Sequence, residues 1–130
     1  MSRRIDKVII GDHEFETLIA VTFKEFELGL MFKTWPPPIM VFPFSKASYT
    51  KFWMKNTPSP LDIIFCKEGS VIDILKGKPF DTTLIGPNLP IDLVVELPFG
   101  TASSKGIKIG NVVEVKYSFD TLIKKMKQPR

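Results

Sequence analysis

Residues 61–76 read LDIIFCKEGSVIDILK, two apolar runs (61–67 and 70–76) parted by Glu68-Gly69. Runs of this length, rich in β-branched residues and separated by two turn formers, are the signature of a β-hairpin. Gly69 can take the positive φ that a tight hairpin turn needs. Working outward, residues 6–10 and 14–22 predict two strands around the polar turn at Gly11-Asp12. Residues 39–44 and 50–55 predict two more, joined by Ser45-Lys46-Ala47-Ser48. IDLVVEL at 91–97 and NVVEVKY at 111–117 complete the set. Short strands with turn signals between them favour a mainly β fold, a small β-barrel or a rolled antiparallel or mixed sheet.

Helices are few. Phe23, Phe26, Leu30 and Met31 recur at helical spacing behind Thr22, a candidate N-cap. GTASSKG at 100–106 is long enough for one helical turn. TWPPP at 34–38 and NTPSP at 56–60 are rigid irregular loops, because proline lacks the backbone donor and restricts its predecessor. Residues 77–90 hold two Gly and three Pro and predict a long loop. Phe119, Leu122, Ile123 and Met126 fall on one face of a last, amphipathic helix that Ser118 can cap. The organisation expected is a β domain over 1–117 followed by a basic helical tail over 118–130. That helix either docks its apolar face on its own body or serves as an arm for a partner chain or an anionic surface.

Composition narrows the function. The 130 residues carry 18 basic and 14 acidic side chains, a formal charge of +4. Four of the basic groups lie in KKMKQPR at 124–130, so the rest of the chain is neutral. Nucleic-acid domains carry their basic residues over a face of the fold, so nucleic acid is not the expected partner. Binding through the tail alone would collapse with salt and with truncation at residue 123. The longest apolar runs fall far short of the ~20 residues of a membrane span, and MSRRIDKVIIGDHE does not read as a signal peptide. A cytoplasmic protein is expected, in keeping with the single Cys66.

Chemistry-bearing residues are sparse. His13 is the only histidine and sits in a polar turn, so neither a zinc site nor a Ser-His-Asp triad can be assembled away from it. No metal and no cofactor is expected, and no phosphate-binding glycine loop is present. Asp62, Asp73, Asp81, Asp92 and Glu96 are scattered acids whose spacing requires no convergence. The densest segment is FWMKNTPSPLD at 52–62. It delivers Trp53, Lys55, Asn56 and Thr57 into a proline-fixed loop ahead of Asp62, which could hold Lys55 by a charge-assisted hydrogen bond. Such a corner suits either a small-ligand pocket or a purely structural bend.

Four blocks, GLMFK (29–33), IMVFPF (39–44), FWMKNTPSPLDIIF (52–65) and GTASSKGIKIGNVVEV (100–115), resemble the family catalogued as domain of unknown function 192. The likeness covers roughly residues 6–117. It implies a compact mainly β fold with one or two short helices, and no established activity. The matching positions are Gly29, Leu30, Met31, Trp53, Met54, Lys55, Asn56, Thr57, Pro60, Leu61 and Asp62. Lys33 replaces the family's usual arginine and so lacks the bidentate guanidinium fork. The closing Gly-Asp is Gly110-Asn111, and the 34–38 loop is proline-rich instead of acidic. The terminal helix lies outside the family pattern.

Two functions follow. The leading one is a non-enzymatic module working through protein contacts, a homo-oligomer or a subunit of a larger assembly such as a phage particle. Its candidate contact residues are Trp35, Pro36, Pro37, Phe119, Leu122, Ile123 and Met126. The alternative is a small-ligand-binding or hydrolytic protein, with Trp53, Lys55, Asn56, Thr57, Asp62 and Lys33 as the candidate pocket.

Overall fold

The computed structural model describes residues 5–128. In chain order the elements are β1 (Lys7–Ile10), β2 (His13–Glu16), β3 (Leu18–Ile19), α1 (Phe23–Leu28), β4 (Met40–Ser48), β5 (Leu61–Lys67), β6 (Ser70–Gly77), β7 (Ile91–Pro98), α2 (Thr101–Lys105), β8 (Val113–Lys116) and α3 (Phe119–Met126). They build a three-stranded sheet, β2-β1-β8, and a five-stranded sheet, β3-β4-β7-β5-β6. Among the described residues only β3 and β4 pair in parallel. The sheets share the run of chain from β2 to β3, and an isolated bridge from Ser70 to Val112 joins them elsewhere. Of the two forms expected, the rolled sheet holds: the strands form two sheets and do not close into a barrel.

The hairpin forms between β5 and β6. Glu68 and Gly69 have φ of 50° and 77°, so both turn residues are left-handed, as in a type I′ loop. The run LDIIFC is buried at every position, because both faces of the large sheet are covered. On one face Val41, Ile64, Cys66, Val95 and Leu97 pack with Val8, Ile10 and Val113 of the small sheet. On the other, Met40, Phe42, Ile63, Phe65 and Val94 pack with Leu30 and Met54. A continuous apolar run is what a strand buried on both sides requires.

Three expectations change. The strand expected over 14–22 divides into β2 and β3, which lie in different sheets. The 45–48 connector belongs to β4, which continues to Ser48 through a register shift after Pro43. Residues 50–55 are not a strand; Phe52 alone bridges to Ile85, with mutual backbone hydrogen bonds of 2.8 and 2.6 Å. Met54 of this segment packs against Gly77 at the end of the edge strand β6 without joining its ladder.

Thr22 caps α1 as expected, within a full capping box: its side chain accepts from the Glu25 amide while Glu25 accepts from the Thr22 amide. Ser118 caps α3. That last helix does not dock its apolar face. Its polar side faces the body instead, through bonds from the Ser118 amide and Thr121 Oγ1 to Asp6 (2.6 and 2.7 Å) and from Lys124 to Glu25 (2.6 Å). Lys125 lies 4.0 Å from the Tyr117 ring centroid. Burial raises the Glu25 carboxyl, but Lys124 and the Thr22 and Val21 amides outweigh it and hold the group at about 2. Phe119, Leu122 and Met126 are left exposed, while Ile123 is half-buried.

Candidate functional site

The second apolar face of the large sheet is not completely filled. A cavity of about 590 Å³ opens between α1, β4, β7 and the 50–57 loop. The alternation that places Met40 and Phe42 of β4 on this face also brings in Phe44. Helix α1 contributes Phe26, and Leu30 follows just after its end. Phe52 and Trp53 close the third side. The phenylalanines meet edge to face: Phe42 lies 5.8 Å from Phe26 and 5.1 Å from Phe52, and Phe26 lies 5.3 Å from Phe44. Volume and lining suit a small organic molecule.

One buried acid stands in this apolar wall. Glu96 on β7 is 4% exposed and lines the cavity. Its cross-strand neighbours are Met40 and Ile63, neither of which can donate a hydrogen bond to it. No group among the described residues hydrogen-bonds its carboxyl. None of their sealed side-chain oxygens is left without a partner, so the Glu96 oxygens reach the cavity. Burial pushes the carboxyl up to about 8, with no counter-charge to restore ionisation. At neutral pH it is therefore mostly a carboxylic acid, able to donate one hydrogen bond and accept others.

The residues singled out in the sequence divide around this cavity. Trp53 and Thr57 line it. Lys55 is exposed and lies over the Trp53 ring, 5.2 Å from its centroid. Asn56 is exposed with φ 56°, a left-handed conformation that asparagine tolerates. Its carbonyl accepts from the Phe32 amide at 2.8 Å, tying the GLMFK block to the FWMKNT block. Lys33 is exposed too, and its carbonyl accepts from Ser59 Oγ at 2.9 Å.

Asp62 does not meet Lys55. Leu61 and Ile63 occupy the cavity face, so strand alternation turns Asp62 to the opposite one. There Oδ2 accepts from the amides of Gly100 and Ala102, at 3.0 and 2.9 Å, and anchors the start of α2. Of the expected contact residues, Trp35 and Pro36 are exposed and Pro37 is buried.

Glu96 is the residue that sequence reasoning did not select. The available signal was a lone acid flanked by Val95 and Leu97 in a run that otherwise reads as buried strand. Elsewhere, burial aided by the Asp92 charge pushes the Cys66 thiol up to about 12, so that cysteine is an inert core residue. No three His, Cys, Asp or Glu side chains gather as a metal site among the described residues. Nor is any described helix long and apolar enough to cross a membrane.

This architecture is that of a known but functionally uncharacterised family. The chain belongs to the DUF192 family of uncharacterised proteins, whose model matches residues 6–115. A crystal structure of a protein of unknown function from Novosphingobium aromaticivorans is 34% identical, with a TM-score of 0.78 and 83% of each chain covered. A protein from Sinorhizobium meliloti described as a candidate transcription regulator is 28% identical. Its TM-score is 0.79, over 88% of this chain and 96% of that one. No match is found among curated proteins.

Proposed function

We propose that this protein binds a small, largely apolar ligand in the cavity beneath α1. The supporting observation is an aromatic-lined space of about 590 Å³ with a single buried carboxyl, Glu96, reaching into it. The walls supply affinity through apolar burial, and the carboxyl orients a polar group of the ligand. Within the FWMKNT corner Trp53 and Thr57 contact the ligand. Lys55 holds the Trp53 ring, and Asn56 shapes the loop. The lining includes no serine, cysteine or histidine, and of its two acids only Glu96 is buried, which favours binding over hydrolysis.

The test uses Trp53 as reporter. The chain has two tryptophans, so a Trp35→Phe variant emits from Trp53 alone. Titration with a neutral aromatic alcohol such as benzyl alcohol is expected to shift that emission saturably. Replacing Thr57 by Phe, which fills part of the cavity, is expected to weaken the response at least tenfold. An emission spectrum indifferent to the ligand would reject the reading.

A second reading, contact with another protein chain, is favoured by the outward apolar face of α3. Phe119 and Met126 are 60% and 83% exposed while the polar side of the helix is tied to the body. The partner we assign is a second copy, the simplest assembly of the kind that a larger particle extends. Sedimentation is expected to show concentration-dependent dimers that a Phe119→Ser, Met126→Ser double variant loses. A wild-type chain that stays monomeric at millimolar concentration would exclude it.

A further inference from the structure

We infer that the cavity selects an organic cation, an ammonium group carrying apolar substituents, with Glu96 as its counter-ion. The inference rests on the ligand-binding reading above and adds the chemical class of the ligand. Three observations carry it. The wall is aromatic on three sides, and aromatic rings attract cations through their quadrupole, most strongly where water is excluded. The buried polar group is an acid with no partner of its own among the described residues, so the protein leaves its charge to be balanced from outside. Apolar Met40 and Ile63 flank that acid, so no neighbouring strand supplies the cation.

A neutral ligand would leave Glu96 protonated. An ammonium ion supplies the missing charge, so the carboxyl gives up its proton to solvent as the cation enters. Binding is therefore linked to proton release. The other charged groups lining the cavity are Glu27 from α1 and Lys51 from the 50–57 loop. Both are exposed, and the Lys51 ammonium is directed to the Gly86 carbonyl and the Asn88 side chain, at 3.3 and 3.5 Å. Neither is placed to neutralise Glu96 within the wall. The inference concerns an ammonium group whatever molecule bears it, a free amine or a modified lysine on a peptide.

Calorimetric titration of the full chain with benzyltrimethylammonium tests it, because that probe keeps its charge at every pH. With Glu96 titrating at about 8, the ionised fraction rises about tenfold between pH 7 and pH 9, and affinity for the cation is expected to rise with it. At pH 7 the heat is expected to depend on buffer ionisation, reporting release of close to one proton. Glu96→Gln is expected to abolish the pH dependence and to weaken cation binding at pH 9 at least tenfold. A trimethyllysine peptide compared with the small cation separates the two sources. Benzyl alcohol separates the two claims. If it binds as tightly as the cation at pH 9, the cation assignment is wrong and the cavity reading stands. If neither binds, both are wrong.

Discussion

Replacing Glu96 by Gln is expected to stabilise the protein at neutral pH, by an amount that depends on pH in a defined direction. The carboxyl titrates at about 8 in the folded chain against 4.5 as its ordinary value, because burial disfavours the charge. The folded state therefore binds more protons than the unfolded state between those two pH values. Stability from this group is fully present below about pH 4.5 and is lost as pH rises through about 8. At pH 7 the loss amounts to about 3 kcal/mol, at 1.36 kcal/mol per pH unit. Glutamine does not ionise, so the variant escapes it. The difference in unfolding free energy between variant and wild type should grow by about 3 kcal/mol from pH 4.5 to pH 7, and level off above about pH 9. Urea unfolding at a series of pH values measures it, and comparing the two proteins cancels every other titrating group. A pH-independent difference would mean that Glu96 is solvated in the folded chain.

Asp62→Ala is expected to act oppositely, costing about 3 kcal/mol at neutral pH. Asp62 is 6% exposed, and one of its oxygens accepts two backbone amides at the start of α2. Hydrogen bonds to a charged group contribute about 1.5–3 kcal/mol each, and a buried donor left unpaired costs about 1–3 kcal/mol. Asp62→Asn keeps an acceptor oxygen in place and should lose about half as much. Thermal or urea unfolding of the two variants checks the order. A ligand-binding role for Asp62 would give a different pattern, near-native stability with loss of affinity.

Much of this architecture is legible in local sequence, where local physics decides it. The 61–76 hairpin, the Thr22 cap and the Ser118 cap each depend on neighbours within a few residues. What fails to show is set by long-range packing. Residues 50–55 have strand composition, yet their pairing among the described residues is limited to the isolated Phe52–Ile85 bridge. The apolar face of α3 has helical spacing, yet Asp6 and Glu25, distant in sequence, decide which side meets the body.

The site divides along the same line. Trp53 and Thr57 are visible because they sit in a dense, unusual block. Asp62 lies in the same block but turns away, since alternation along β5 sends adjacent residues to opposite faces. Glu96 looks like any strand acid until the two neighbouring strands and α1 enclose it. An acid between apolar neighbours in a buried run is a signal worth reading, because burying it without a partner is costly.

The most direct test of ligand binding is the position of the ligand itself. Nuclear Overhauser contacts between benzyl alcohol and the protein, recorded at saturation, report which side chains surround its ring. Binding in the cavity predicts contacts to Phe42, Phe52 and Leu30, all of which line the space beside Glu96. Contacts confined to exposed residues such as Trp35 or Phe119, with none to Phe42 or Phe52, would contradict it.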